Sequence, residues 1–189
     1  DLENAIALYR EALDIEKEVL GIDHPKVVVT LTNIGNIYIL QEKYDSALGI
    51  FEEALYRETE SLGQDHPYVA FQIHRIGYTL FKQGKYLKAL ETYRSLLDSG
   101  LKLRAELILA VVSNLVSIGL KLLDEGMMDL ALDVLIESFD MKRYILNTDY
   151  HNMDLSLDSS IPNTVNSIGV MYFQIGDIEK MMLAFIEAS

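Results

Sequence analysis

The sequence predicts an all-α fold, a right-handed superhelical solenoid of antiparallel helix pairs, because one dipeptide recurs at a fixed period. Ile-Gly stands at residues 34–35, 76–77, 118–119 and 168–169, in steps of 42, 42 and 50 residues. A period of this length is typical of helical repeat arrays. Such arrays bind partners along a stacked surface, so the period favours a binding function over chemistry in one pocket.

The repeats agree at further positions counted from each glycine. Nine positions after the glycines stand Tyr44, Tyr86, Met128 and Ile178. Twelve positions after them stand Ala47, Ala89, Ala131 and Met181, and sixteen positions after them Phe51, Tyr93, Leu135 and Phe185. The same pattern stepped back by one period fits Leu2, Ala5, Tyr9 and Ala12. Small residues let two helices approach closely, so we expect each glycine to face the alanine of its paired helix, or Met181 in the last pair.

Apolar residues at helical spacing predict nine helices. Their expected bounds are 1–19, 25–40, 44–61, 67–82, 86–98, 102–124, 127–145, 162–175 and 178–189. Gly84, Gly126 and Gly176 occupy equivalent turns within the pairs, where glycine supplies a left-handed conformation. Residues 147–160, rich in Asn, Asp and Ser, absorb the eight extra residues and predict a surface loop.

Two connectors between helix pairs are nearly identical and lie 42 residues apart, at 20–25 and 62–67. Each reads Leu-Gly-x-Asp-His-Pro. The glycines predict helix C-caps and the prolines predict first helical positions. Proline also disfavours the helical region for the preceding histidine, so His24 and His66 are expected to cap the next helix rather than bind a metal.

These residues resemble the tetratricopeptide repeat, and the 42-residue period with its connector is similar to the repeats of kinesin light chains. The resemblance covers nearly the whole chain as one array. We expect a partial repeat at 1–20 and repeats at about 25–62, 67–99, 102–146 and 162–189. Because helices at both ends lack a pair partner or a polar cap, the chain is expected to be a fragment of a longer protein.

The resemblance implies which residues line the concave surface. The family places there the residues two and three before the glycine and one and four after it. The inward positions are then Thr32, Asn33, Asn36 and Ile39; His74, Arg75, Tyr78 and Phe81; Val116, Ser117, Leu120 and Leu123; Asn166, Ser167, Val170 and Phe173. From these and one neighbour we predict a partner-binding set of Asn33, Asn36, His74, Arg75, Tyr78, Lys82 and Asn166.

Charge varies along the array. The net charge of −13, from 16 basic and 29 acidic residues, disfavours nucleic acid and anionic membranes as partners. Residues 71–104 are the exception, with seven basic and two acidic side chains, a net of +5. This basic segment could attract an acidic peptide through Arg75, with His74 and Lys82 in support and Asn33 and Asn36 holding its backbone. The alternative is a set of solvated faces that balance neighbouring charge.

Composition predicts neither an enzyme nor a metal or cofactor site. No phosphate-binding loop, nucleophile elbow or spaced histidine pair occurs, and no small-molecule substrate is expected. His74 and His151 have no spaced ligand companions, and the acidic loop around Asp154 lacks the glycine and glutamate of an EF-hand. Cysteine is absent, which favours the cytoplasm. The apolar stretch 107–120, with 14 residues, is expected to be too short to span a bilayer.

Two functions fit these observations. The first is a scaffold that binds a peptide or protein segment in its groove, with kinesin light chain-like cargo binding as one form. The alternative is a structural module that packs against another domain or another copy, with no free peptide ligand. Capture of acidic chaperone tails is disfavoured, because Thr32, Arg75, Ser113 and Ser117 replace the Lys, Asn and basic residues of that clamp.

Overall fold

Seven helices have defined bounds in the part of the chain that the structure describes. The computed structural model describes residues 1–100, 103–148, 168–170, 172, 176–177 and 180, with the backbone alone at 105 and 142–148. The helices are α1 (Leu2–Leu20), α2 (Pro25–Leu40), α3 (Tyr44–Leu62), α4 (Pro67–Lys82), α5 (Tyr86–Asp98), α6 (Ala105–Asp124) and α7 (Met128–Thr148). None of the described residues is in a β-strand. The predicted all-α solenoid of helix pairs is therefore confirmed.

The predicted helix bounds agree with the structure to within three residues at each end of these seven helices. Of the predicted helices 162–175 and 178–189, the structure describes only residues 168–170, 172 and 180 as helical. The predicted loop at 147–160 lies outside the described residues except for its first two positions. The chain forms two compact units, residues 1–107 and 108–189.

In the first unit each helix packs against the next along the chain, from α1 to α5. The closest approach lies at the glycines of α2 and α4. A Cβ added at Gly35 would meet the Phe51 ring at 2.6 Å, and one added at Gly77 would meet the Tyr93 ring at 2.7 Å. Both aromatic side chains are fully buried. The expectation that these glycines face Ala47 and Ala89 was wrong, because the ring sixteen residues on fills that space.

The second unit repeats this arrangement with an aliphatic side chain. A Cβ added at Gly119 of α6 would lie 2.8 Å from Cγ of Leu135 in α7, whereas the carbonyl oxygen of Ala131 is 3.5 Å away. Gly119 therefore faces Ala131 as expected, but Leu135, sixteen positions after the glycine, makes the closer contact. The fourth expected contact, between Gly169 and Met181, lies outside the described residues.

Tight turns between paired helices require a left-handed residue at one position. Gly84 and Gly126 take φ values of 79° and 80° there, as predicted. Gly176 is similar at 81°. In the first turn Glu42 has φ 58°, the one non-glycine residue with positive φ among those described. Backbone strain of about 1 kcal/mol or more is expected at Glu42 because its Cβ crowds the carbonyl oxygen.

The two connectors have the predicted caps. Gly21 and Gly63 adopt φ 90° and 87°, and a proline begins each following helix. Nδ1 of His24 accepts a hydrogen bond from the backbone N–H of Lys26 at 3.2 Å, and His66 does the same for its own helix. The histidines therefore act as N-caps, which satisfy backbone donors that the first helical turn leaves unpaired.

A polar contact at the turn end of each pair ties consecutive repeats together. Glu3 accepts hydrogen bonds from the side chains of Gln41 and Lys43, at 3.1 and 3.0 Å. One period later Asp45 accepts from Gln83 at 2.8 Å and lies 3.8 Å from the Lys85 ammonium. Residue 87, the next equivalent of Glu3 and Asp45, is an exposed leucine. This contact is consequently a property of the first unit's early repeats.

Helix α6 is more apolar than the other helices. By length and composition alone its segment 106–124 could cross a bilayer, so the expectation that it is too short was wrong. The core helix of a soluble protein passes the same test. Val111, Leu115 and Ile118 of α6 are fully buried, and Gly119 packs on α7. These contacts are those of a core helix in a repeat pair.

The glycine contact predicts opposite effects for two Gly→Ala changes. We expect Gly77→Ala to lower the free energy of unfolding by about 1–3 kcal/mol, because buried Tyr93 must move. This loss outweighs the gain in helix propensity of about 1 kcal/mol. Gly49 is also helical, but nothing lies within 4 Å of its added Cβ. Gly49→Ala should therefore stabilise the protein. Urea unfolding followed by circular dichroism measures both, and equal midpoints for the two variants would contradict the packing role.

Candidate functional site

Helices α2 and α4 occupy equivalent places in adjacent repeats and are joined by side-chain hydrogen bonds. Arg75 Nη1 donates to Asn36 Oδ1 at 2.6 Å, and Gln72 Nε2 donates to Thr32 Oγ1 at 3.2 Å. Both bonds run from the second complete repeat back to the first. They hold the outer sides of α2 and α4 next to each other as one surface.

The surface is defined by side chains that share one face of each helix and are not buried. Their spacing of four, three and four residues places them on a single stripe. We call the two stripes together the α2–α4 face: Val29, Asn33, Asn36 and Leu40 of α2; Phe71, Arg75, Tyr78 and Lys82 of α4. Every member of one stripe stands 42 residues from its equivalent in the other.

The structure brings five of the seven predicted partner-binding residues onto this face. Asn33, Asn36, Arg75 and Tyr78 are half-buried there, and Lys82 is exposed. His74 is half-buried beside Tyr93, with the ring centroids 5.8 Å apart. Asn166 lies outside the described residues.

Three apolar members of the face were missed by sequence reasoning. Val29 and Leu40 are 60% and 68% exposed, and Phe71 is half-buried. The predicted neighbours Ile39 and Phe81 turn elsewhere: Ile39 packs on the core, and the Phe81 ring lies 5.8 Å from Tyr86. All three stand on the same helical stripe as the predicted residues. Val29 and Phe71 lie six residues before a repeat glycine and Leu40 lies five after one, so helical spacing alone would have identified them.

Arg75 is the centre of the face. Its guanidinium carbon lies 5.8 Å from the centroid of the Phe51 ring, within range of a cation–π contact. Burial lowers the pKa of Arg75, and the charge of Glu58 raises it in part. Since an arginine stays protonated far above neutral pH, the result is a partly desolvated positive charge. Asn36 already accepts a hydrogen bond from one of the Arg75 N–H groups.

A buried carboxyl group lies close to Arg75. Glu58 of α3 is only 8% exposed, and burial raises its pKa although neighbouring Gln72 and Arg75 lower it. Within the described part of the chain, Glu58 Oε2 and Gln72 Oε1 are buried without a hydrogen-bond partner. An equivalent contact one repeat earlier is satisfied, since Thr30 donates to Glu16 at 2.7 Å. The second repeat therefore keeps unused hydrogen-bonding capacity behind Arg75.

His74 does not add positive charge at neutral pH. Burial, followed by the nearby charge of Arg75, lowers the pKa of His74 to about 4. The hypothesis that His74 assists Arg75 electrostatically therefore fails, although its ring still shapes the α4 surface beside Tyr93.

Metal-binding chemistry finds no support in the part of the chain that is described. No group of three or more His, Asp or Glu side chains there could hold a metal ion. The described histidines of the connectors are used as helix caps.

Comparison with known proteins agrees with this geometry. The family model described as "Tetratricopeptide repeat" matches residues 1–55 and 35–102, more than half of the chain. The chain belongs to the tetratricopeptide repeat family. The resemblance seen in the repeat period is thereby confirmed. Among curated proteins, no sequence matches this chain.

Solved structures of similar fold include kinesin light chain-like repeat proteins. BtubC (BKLC) from P. vanneervenii has a TM-score of 0.69 at 20% identity and covers 100% of this chain and 72% of its own. Kinesin light chain-like repeats from Podospora anserina give 0.65 at 12% identity, covering 99% of this chain and 85% of their own. YrrB, described as a TPR protein with an unusual peptide-binding site, gives 0.54 at 21%, covering 99% and 76%. At these identities the likeness establishes the shared fold.

The lowered pKa of His74 predicts a pH-dependent stability. The folded value of about 4 lies below the ordinary 6.5, so the unfolded chain binds the proton more readily. Its contribution to stability is present above pH 6.5 and is lost as the pH falls from 6.5 to 4, by up to about 1.4 kcal/mol per pH unit. Chemical unfolding at several pH values should show a shallower acid loss for His74→Gln than for the wild type. Parallel profiles would contradict a buried neutral imidazole.

Proposed function

We propose that this tetratricopeptide repeat chain binds an extended, acidic segment of a partner protein on the α2–α4 face. The family fold is that of protein–protein interaction scaffolds, which are generally not enzymes. The observation that carries the proposal is the half-buried Arg75 at the centre of the face. One of its five N–H donors is used by Asn36 within the described residues, so further donors remain for a carboxylate.

The neighbouring side chains suit an extended peptide. Asn33 and Asn36 can donate and accept hydrogen bonds with a peptide backbone. Val29, Leu40 and Phe71 offer apolar contacts, and Lys82 adds a second cation at the end of α4. A partner acid that meets Arg75 would find it partly desolvated, where a charge-assisted hydrogen bond contributes about 1.5–3 kcal/mol.

The basic segment 71–104 supports the choice of an acidic partner. Part of its charge is compensated within the chain, since Lys85 lies near Asp45 and Arg104 lies 3.5 Å from Glu106. Neither Arg75 nor Lys82 on the face is in an ion pair among the described residues, although the buried Glu58 partly offsets the charge of Arg75. Attraction is therefore expected from these two residues more than from the segment as a whole. Kinesin light chain-like cargo binding in the cytoplasm is the form we favour, on the fold likeness and the absence of cysteine.

The binding proposal is tested by reversing charge on and off the face. Arg75→Glu should weaken binding of a labelled glutamate-rich peptide by about tenfold or more, equivalent to about 1.4 kcal/mol. Lys88→Glu, a change of equal charge at an exposed α5 position, should have little effect. Fluorescence anisotropy at two salt concentrations measures both, with the glutamine version of the peptide as control.

Arg75 also contacts Asn36 and Phe51, so loss of binding must be separated from loss of fold. Arg75→Gln keeps a hydrogen-bond donor for Asn36 without the charge and should retain the wild-type circular dichroism. The proposal is overturned if Arg75→Gln and the wild type bind the peptide equally, or if binding does not weaken with salt.

A further inference from the structure

The first connector contains a contact that the second connector lacks. Arg57 of α3 is only 13% exposed in its side chain, and it reaches back to the first connector. Its Nη1 donates to the carbonyl oxygen of Ile22 at 3.5 Å and lies 3.5 Å from the Asp23 carboxylate. Its Nη2 pairs with Glu53 at 2.8 Å. The guanidinium thus fills the space between α3 and the connector.

The two connector acceptors of this contact recur one period later, but the cation and the carboxylate of Glu53 do not, because Ser95 stands at the Glu53 position. Position 99, the equivalent of Arg57, is serine, whereas Asp65 and the carbonyl group of Gln64 replace Asp23 and Ile22. Asp65 is exposed, and no ion pair engages its carboxylate among the described residues. The second connector therefore offers the two connector acceptors without an arginine and without an equivalent of Glu53 from its own repeat.

An open cleft lies at this place. It has a volume of about 350 Å³ and is lined by residues of α3, α4 and the second connector, together with Ser99. Leu55, Val69 and Ile73 form an apolar wall, while Thr59, Asp65 and Ser99 provide polar groups. Each lining residue stands one period after a residue of the first repeat, with Thr59 equivalent to Lys17, Ile73 to Leu31 and Ser99 to Arg57.

We propose that this cleft, the second-connector socket, binds an arginine side chain of a partner protein. The planar guanidinium can donate to the Gln64 carbonyl oxygen and the Asp65 carboxylate together, as Arg57 does with Ile22 and Asp23. The aliphatic part of the side chain lies along Val69 and Ile73. An arginine within a peptide fits this cleft better than a free guanidinium ion, because the apolar side chains of the cleft contact the aliphatic part of the arginine side chain.

The socket is separate from the α2–α4 face. It shares no residue with that face, and its charge preference is the opposite, a cation rather than an acid. A single exposed ion pair binds weakly, so the socket would act as a second anchor that raises the affinity of a partner already held elsewhere. The inference does not depend on the peptide proposed for the face.

The test is a titration of the ¹⁵N-labelled chain with N-acetyl-arginine methylamide followed by NMR. Amide signals of Gln64, Asp65 and Ser99 should shift, and Asp65→Asn should weaken the affinity by about fivefold, equivalent to about 1 kcal/mol. The neutral isostere N-acetyl-citrulline methylamide should bind as weakly as the variant does. Asn33→Ala, a change on the α2–α4 face, should leave the titration unchanged, so failure of one proposal is distinguishable from failure of the other.

Two reciprocal variants make the result independent of any single mutation. Ser99→Arg should place an internal guanidinium in the socket, raise the urea midpoint and abolish the titration. Arg57→Ser should lower the midpoint and open a second site, with new shifts near Ile22 and Asp23. The proposal is overturned if citrulline or methylguanidinium binds as well as the arginine probe, or if Ser99→Arg leaves arginine binding intact.

Discussion

The packing of a large side chain onto a helical glycine fixes the geometry on which the other features depend. Phe51 lies against Gly35, Tyr93 against Gly77 and Leu135 against Gly119. Because glycine has no Cβ, the ring or branched side chain can occupy the space next to the backbone of the facing helix. The distance between paired helices is then set by one side chain in each repeat. This contact also sets how the first helix of each pair is rotated about its own axis. The rotation in turn decides which of its residues remain outside the core.

Polar contacts between repeats then define the surface that the packing leaves exposed. In the first unit, Glu3 and Asp45 accept equivalent hydrogen bonds at the turn ends of the helix pairs. Asn36 accepts a hydrogen bond from Arg75 near the middle of α2 and α4. The central contact is the more consequential one, since it is half-buried and joins the two helices of the binding face. The turn-end contacts are exposed, so each contributes little to stability.

Residues that differ between equivalent positions carry the candidate functions. Asn33 is replaced by Arg75 one period later, which turns a neutral position into the centre of a charged face. Arg57 is replaced by Ser99, which leaves a cleft beside Asp65. Positions that keep their residue type, such as the histidines of the two connectors, serve the fold by capping the helix that follows. The candidate functional residues of this chain are therefore those that differ between equivalent positions, in repeats whose helices are otherwise alike.

The sequence by itself determined the repeat period, the helix order and the caps, because these depend on local rules. Glycine with positive φ, proline at the first helical position and apolar spacing each act within a few residues of one another. The resemblance to the family also placed Asn33, Asn36, Arg75 and Tyr78 on one surface, with Lys82 as a neighbour, because the family sets those positions relative to the glycine.

Contacts between distant residues needed the tertiary structure. The pairing of Arg75 with Asn36, the burial that leaves His74 neutral and the replacement of alanine by Phe51 opposite Gly35 all depend on side-chain directions in three dimensions. Sequence spacing lists which residues share a helix face, but it does not state how deeply each is buried. Burial sets both the pKa and the partners of a polar group, so only the folded packing decided which of the predicted site residues remain available to a partner.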